Sequence, residues 1–382
     1  MLSVSESERL QAIATFASTA VATAAADWSM GASAVHPGSL YIARAAELGL
    51  TKMQVPVARG GLGSSFAFKA RACELLAAAD FGFAMSVVNT HNVAHRLALS
   101  ASPQLGDRYL PRLLDGRSTA CTALTEPGIG SDVAAMTTTA LRDGDDWIIN
   151  GEKTWIVNAR HADVAIVYAQ CGRIGHHKGI GAFLVDLTGP QCRRYPIDSP
   201  FSQVSIGTGG FVFDACRVPA AHLLLAPGAA LKSILTEING ARTYVAAMCC
   251  GMVAEAVAIV QHYGINRMTF GRPLAQHQAW RYTIADVTAD LAAARALVDQ
   301  ALQAIMSDTD AEQSAAAAKL FAVAMSQRQL PALLHAMGAE GLKPTYPFAR
   351  HIAASHIAAL TDGSSNMLRE RLARRTAPSP LR

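Results

Sequence analysis

Thr125-Glu126-Pro127-Gly128-Ile129-Gly130-Ser131-Asp132 is the stretch on which the reading of this chain turns. It reads as a strand running into a loop rich in glycine and small hydroxyls. Such a loop can bring backbone N–H groups close to a polar ligand; an ordinary turn is the alternative. Gly128-Ile129-Gly130 is a lone G-x-G without a third glycine, and no G-x-x-x-x-G-K phosphate loop is present. Neither dinucleotide fingerprint applies, so a nucleotide cofactor would be held some other way.

Around this stretch the texture is that of short strands. Trp147–Ile149, Lys153–Val157, Val164–Ala169, Gly181–Asp186 and Phe211–Asp214 are rich in Val, Ile, Thr and aromatics, and Asp143-Gly144 and Asn150-Gly151 read as turns between them. On the N-terminal side, Ala70–Asp80 and Met85–Ser100 are alanine-rich and helical, with Pro56 and Gly60-Gly61-Leu62-Gly63 as breakers. On the C-terminal side Ile284, Val287, Leu291, Ala294, Val298, Leu302 and Ile305 step by three and four, one apolar stripe on a long helix. Helices, then a block of antiparallel strands, then long helices make an α+β chain in three parts: residues 1–120, 121–225 and 226–382. The tail is expected to fray.

The chain has 382 residues, 51% hydrophobic and 16% charged, with a net charge of +4. Charge well below the ~25% of ordinary soluble domains, with this much apolar content, excludes a disordered chain. Unremarkable Gly and Pro exclude a collagen-like one. The apolar window from Tyr244 to Val260 is broken by Glu255 and is shorter than the about 20 residues of a spanning helix, so it reads as a buried core helix. Glu6 and Glu8 stand where a signal peptide would be basic. Seven cysteines without CxxC spacing read as reduced core residues, and with these features point to a cytoplasmic protein, with no membrane segment. A diffuse +4 gives no nucleic-acid footprint.

Three further stretches could carry chemistry. Trp155-Ile156-Val157-Asn158 ends a strand, where a Trp covers a planar cofactor or simply fills core. Arg267-Met268-Thr269-Phe270-Gly271-Arg272-Pro273, with Gln278 after it, offers a guanidinium, a hydroxyl and exposed N–H groups before a helix, suited to a pyrophosphate, or else forms a solvated basic turn. Thr361-Asp362-Gly363-Ser364-Ser365-Asn366 follows the small, apolar helix His351–Leu360 and precedes Arg369, Arg371, Arg374 and Arg375. A carboxylate leaving an apolar segment is desolvated into a stronger base, or serves as a helix N-cap.

In this order the four stretches resemble the acyl-CoA dehydrogenase superfamily of flavoproteins across nearly the whole chain. Gly60-Gly61-Leu62-Gly63, Arg108-Tyr109-Leu110-Pro111, Arg217-Val218-Pro219 and Asn239-Gly240-Ala241-Arg242 add to the likeness. The resemblance implies an N-terminal helical domain, a central β domain and a C-terminal four-helix bundle, in homodimers or homotetramers. It implies FAD, with Leu124 and Thr125 at the flavin edge, Trp155 and Val157 beside it, and Arg267, Thr269, Phe270 and Gln278 on its diphosphate and adenosine. Ser364 and Asn366 would also reach it. His335 and Ala339 stand in the segment that normally reaches the neighbouring subunit's FAD. Ser131 and Gly363 would meet the substrate, an acyl-CoA or an acyl group on a carrier protein. Asp362 would be the base and Arg242 would shape the pocket. The electron acceptor implied is an electron-transfer flavoprotein or oxygen.

This sequence departs from the family pattern at named positions. The usual catalytic Glu is Asp362; the alternative base position before Arg242 is Ala241; the Thr or Ser near flavin N5 is Val157; the Arg-Asp ahead of the base is Ala353-Ala354. The expected reaction is α,β-dehydrogenation of an acyl thioester, with a place in secondary metabolism open. A nitroalkane-oxidase-like enzyme with an Asp base is the second reading, and a flavin scaffold or nucleic-acid-associated relative the third. Small Ala354, Ser355, Ala358, Ala359 and Thr361 would open a pocket of unusual shape or fill a helix. No metal is expected: His91 and His95 have a metal-pair spacing but no third ligand. His176-His177-Lys178 reads as an exposed hairpin loop, and His356 as a core histidine.

Overall fold

The computed structural model describes residues 2–29, 38–172, 179–199, 201 and 203–376, so His176-His177-Lys178 and the last six residues lie outside the described residues. Helices come first: α1 (Val4–Phe16), α2 (Ala22–Ser29), α3 (Gly38–Glu47), α4 (Phe66–Ala79), α5 (Phe81–Ser100) and α6 (Pro103–Leu114). Strands follow: β1 (Ala120–Ala123), β2 (Thr139–Asp143), β3 (Asp146–Ile156), β4 (Val164–Gln170), β5 (Ile180–Asp186), β6 (Cys192–Pro196), β7 (Gly209–Pro219) and β8 (Leu223–Leu225). Then come α7 (Ala230–Asn266), the hairpin β9 (Met268–Thr269) and β10 (Arg272–Pro273), α8 (Gln278–Met306), α9 (Glu312–Ala336), α10 (Phe348–Leu360) and α11 (Ser365–Thr376). By its contacts the chain divides into two units. One holds Met1–Ala32, Phe66–Ala84 and Ile238–Arg382; the other holds Ser33–Ser65 and Met85–Glu237.

The second unit is built on one sheet, ordered β6-β7-β3-β2-β4-β5-β8, with β1 beside β4. It is mixed, not antiparallel throughout: β1 runs parallel to β4, and β2 meets β4 in parallel at Thr139. Strand β4 shows why the sequence reads as an unbroken apolar run there. Val164, Ile166 and Tyr168 face one way, onto Val93, Ala94 and Leu97 of α5 and Leu105, Leu110 and Leu113 of α6. Ala165, Val167 and Ala169 face the other, among Phe183, Phe211 and Phe213. A strand covered on both faces needs no polar alternation.

Asn150-Gly151 is not a turn. The strand runs through it from Asp146 to Ile156, with a register shift against β7 between Ile149 and Gly151. Gly151 takes φ +141, and a Cβ there would lie 2.7 Å from the Thr138 Cα, so this bulge tolerates only glycine.

In the first unit, Asp80 closes α4 and caps α5, its Oδ1 accepting the Phe83 N–H at 2.7 Å. Helix α7 is long and apolar enough to cross a membrane by length and composition, yet 78% of its most apolar window is buried within the protein. Its backbone presses on α4: a Cβ on Gly251 would lie 2.1 Å from the Glu74 carbonyl oxygen. In α8 the stripe from Ile284 through Val298 is buried, while Leu302 and Ile305 at its end are half-buried. Alanines 315, 316, 318 and 322 of α9 and Ala354, Ser355 and Ala358 of α10 are fully buried. Small side chains let α9 and α10 approach closely, so Ala354, Ser355 and Ala358 go to packing, while Ala359 and Thr361 are half-buried. His356 on α10 is exposed; the core histidine of that helix is His351.

Candidate active site

In the sheet unit the quoted stretch leaves β1 and folds back at once. Glu126 and Ile129 exchange backbone hydrogen bonds of 3.0 and 2.9 Å around Pro127-Gly128. The Glu126 side chain turns inward. Its oxygens accept from the Thr137 N–H and hydroxyl (both 2.7 Å), the Thr138 N–H (2.9 Å) and the Lys153 ammonium (2.8 Å). Burial alone would push this carboxyl up; Lys153 first, then the hydrogen bonds, hold it at about 2. Lys153 also donates to the Leu124 carbonyl at 2.9 Å, and the Thr154 N–H to the Thr125 carbonyl at 3.0 Å. With its carbonyl so engaged, Thr125 keeps an N–H and a hydroxyl that meet no partner among the described residues.

Beside it the end of β3 is irregular. The register shifts again between Lys153 and Ile156, and Trp155 takes φ +57 with 61% of its surface exposed. A bulky residue at positive φ is an outlier that the surroundings must enforce. The enforcement is visible three residues on. Asn158, also at positive φ and buried, donates through Nδ2 to the carbonyls of Ser86 and Ala120, both at 2.9 Å. Trp155 is therefore presented outward and is not core. Val157 is half-buried between these anchors, and Ser131 is exposed on the loop.

In the helical unit Asp362 sits in the turn between α10 and α11. It takes φ +53 and the next residue, Gly363, φ +94. Three successive carbonyls of the turn each accept from a cation. Arg242 of α7 donates through Nε to Asp362 O at 3.2 Å; Lys319 of α9 donates to Gly363 O at 2.6 Å and also to Thr361 O. Both cations are buried. The Asp362 side-chain Oδ2 is buried without a hydrogen-bond partner, and its N–H donates to nothing among the described residues. Burial raises the Asp362 carboxyl above the usual aspartate range, against the pull of Lys319 and Arg242.

Asp362 is not the cap of α11. Ser364 is: its hydroxyl accepts the Met367 N–H at 3.4 Å and keeps its own proton to donate. Asn366 is exposed and accepts from Arg369 at 2.8 Å. Arg371 pairs with Glu312 and Arg374 with Glu370, so these arginines are answered locally and do not form a free basic face.

The hairpin after α7 turns on Phe270 (φ +48) and Gly271 (φ +76), the pair of positive φ values a two-residue turn demands. Phe270 is 98% exposed. The Thr269 hydroxyl lies 3.0 Å from the His277 Nε2. No side chain caps the N-terminus of α8, and the exposed Arg267 guanidinium meets no partner among the described residues. Gln278, in the first turn, bonds Tyr282. His335, near the end of α9, and Ala339, in the turn after it, are both exposed.

The expected residues thus fall into separate groups. Leu124, Thr125, Ser131, Trp155 and Val157 gather at one end of the sheet unit. Arg242, Asp362, Gly363, Ser364 and Asn366 gather at one turn of the helical unit, apart from the hairpin group. The structure adds Lys153, Asn158, His277 and Lys319. Lys319 carried one signal in the sequence, a lysine inside the apolar run from Ala315 to Met325; Lys153, next to Asn150-Gly151-Glu152, carried none of that kind.

The whole chain matches known families in the same order. The acyl-CoA dehydrogenase N-terminal, middle and C-terminal domain models match residues 5–117, 121–216 and 231–377. The mitochondrial short-chain specific acyl-CoA dehydrogenase of Homo sapiens is 31% identical over 324 residues, 84% of this chain and 78% of that one. Butyryl-CoA dehydrogenase from Megasphaera elsdenii superposes with a TM-score of 0.91 at 25% identity, covering 98% of each chain. Glutaryl-CoA dehydrogenase from Mycobacterium smegmatis, solved in complex with FADH2, does so with a TM-score of 0.91 at 26% identity, over 100% of this chain and 97% of that one. A hairpin at Glu126, an outward Trp155 and a carboxylate at the α10–α11 turn, met in sequence order along three matched domains, place the chain in the acyl-CoA dehydrogenase family of oxidoreductases.

Proposed function

We propose that this protein is an FAD-dependent dehydrogenase of acyl thioesters, in which Asp362 removes the proton next to the thioester carbonyl. One observation carries the reading. The Asp362 carboxylate offers a buried, unpartnered Oδ2 on the same residue as an unpartnered N–H. The first is a base raised by desolvation; the second can bond the thioester oxygen and so acidify the adjacent carbon.

The residues present suit the cofactor. Thr125 has an idle N–H and hydroxyl for a ring edge, Trp155 offers an exposed indole face, and Arg267 beside the uncapped α8 suits a diphosphate. When bound, the flavin supplies the acceptor for the hydride that leaves the second carbon. Asp362 takes the proton on its carboxylate oxygen, and Arg242 and Lys319 hold the turn while it does so.

The Asp at this position is the unusual part of the reading. An aspartate is one methylene shorter than a glutamate, and about 1 Å of misplacement can cost on the order of a hundredfold in rate. The turn must therefore bring its backbone closer to substrate, or the substrate must present its proton differently.

The test is anaerobic mixing of the flavin-loaded protein with a panel of acyl-CoA and acyl-carrier-protein thioesters, and separately with small nitroalkanes. Bleaching of the flavin by thioesters is expected, with none in Asp362→Asn, which should keep its flavin. Bleaching by nitroalkanes alone would overturn the reading. Reoxidation by air or only by an electron-transfer flavoprotein then identifies the acceptor.

A further inference from the structure

Lys319 lies in the first third of α9, in the run Ala315-Ala316-Ala317-Ala318-Lys319-Leu320, and its side chain is wholly buried. A buried ammonium is costly unless its protons are bonded. Here two go to the carbonyls on either side of Asp362, those of Thr361 and Gly363. Because a trans peptide is planar, its C=O and N–H point in opposite directions. The Thr361 carbonyl and the Asp362 N–H belong to one such peptide. Pinning that carbonyl onto Lys319 turns the Asp362 N–H away from α9, and this is the N–H left without a partner. The bond also polarises the peptide, which strengthens the N–H as a donor.

We propose that Lys319 is a positioning residue of the dehydrogenation: by holding the carbonyls of Thr361 and Gly363 it aims the Asp362 N–H at the thioester oxygen and keeps the Asp362 carboxylate ionised. The inference rests on the function proposed above. The charges around Asp362 support its second half. Lys319 from α9 and Arg242 from α7 pull its carboxyl down against burial. Arg242 in turn feels Arg371 of α11 and Glu312 of α9, and Lys319 feels Cys249 of α7. Burial lowers Lys319 itself to about 8, so it still carries its charge at neutral pH.

Two variants separate positioning from mere packing. Lys319→Met removes charge and donors at similar length; Lys319→Gln removes the charge but keeps an N–H donor. The Asp362 carboxyl is titrated by infrared difference spectroscopy, with Asp362→Asn assigning its band. Both variants should titrate at higher pH than wild type, because an attractive charge is gone. With acyl-CoA, Lys319→Met should slow the limiting flavin reduction by about a hundredfold with substrate affinity little changed. Lys319→Gln should fall between the two. If Lys319→Met does not fold, Lys319→Gln decides alone. A folded variant that is less heat-stable but keeps the wild-type Asp362 titration and reduction rate would overturn the proposal. Failure of every thioester to reduce wild type would instead refute the dehydrogenase reading, while the infrared titration still decides the Lys319–Asp362 coupling.

Discussion

The ammonium of Lys153 lies 2.8 Å from Glu126 Oε1, with both side chains out of contact with water. The pair closes the Glu126–Ile129 turn onto β3, since the same ammonium also holds the Leu124 carbonyl. Removing one partner leaves a buried charge unanswered, so Glu126→Gln should lower unfolding free energy by about 3–5 kcal/mol. The sign with pH follows from the depressed carboxyl. Its contribution is fully present above the ordinary value of 4.5 and is lost as pH falls towards about 2. Urea midpoints of wild type and Glu126→Gln should therefore converge across that window. Parallel curves down to pH 2 would show that the pair is not ionised in the fold.

Trp155 contributes little burial, at 61% exposed, and holds a left-handed backbone. Left-handed φ costs a residue with a Cβ roughly 1–2 kcal/mol. Trp155→Gly should thus stabilise the apoprotein by about 1 kcal/mol, while weakening flavin retention on a desalting column. A variant that loses stability and keeps its flavin would assign Trp155 to packing.

How much of this was legible in the sequence depends on whether a local signal existed. The Ile284–Val298 stripe was legible because a single helix face records it. Asn150-Gly151 has the composition of a hairpin turn, yet β7 pairs on both sides of it and converts it to a bulge. Long-range pairing of that kind leaves no local trace. Ala354, Ser355 and Ala358 could line a cavity or fill a contact, and only the approach of α9 decides between them. The Asp362 turn was found as a carboxylate, but its geometry comes from Arg242 and Lys319, 120 and 43 positions earlier in the chain.

The Arg267 side chain is exposed and its guanidinium makes no bond among the described residues, so the side chain has no structural duty to lose. Arg267→Met should leave the melting temperature within about a degree, since surface changes stay near ±0.5 kcal/mol. Flavin affinity should fall about tenfold or more, and the gap should narrow at high salt as screening weakens the wild-type contact. Equal affinity in titrations of the two apoproteins would remove Arg267 from the cofactor site.

Val157 follows β3 directly and is half-buried beside the locked Asn158. By resemblance a hydroxyl normally stands here near the flavin N5. Val157→Thr should shift the flavin reduction potential or its rate of reoxidation in air, at a modest cost in stability because a hydroxyl replaces a methyl at a half-buried site. Identical potentials and reoxidation rates would separate this position from the flavin.

Asp362 must be ionised to accept a proton, and burial raises its carboxyl above the ordinary 3.8. The limiting rate of flavin reduction should therefore fall about tenfold per pH unit on an acid limb centred above 3.8. Asp362→Glu tests the missing methylene on the same axis. The longer side chain keeps the acid limb, because the buried turn, Lys319 and Arg242 are unchanged, but it moves the oxygen towards substrate by about 1 Å, a shift worth on the order of a hundredfold either way. If the turn has moved in to suit the aspartate, the glutamate is slower on every thioester. If the natural substrate presents its proton differently, the glutamate is slower on that substrate and faster on simple straight-chain acyl-CoAs. An acid limb that persists unchanged in the residual reduction by Asp362→Asn, which has no carboxylate there, would show that another group limits the wild-type rate.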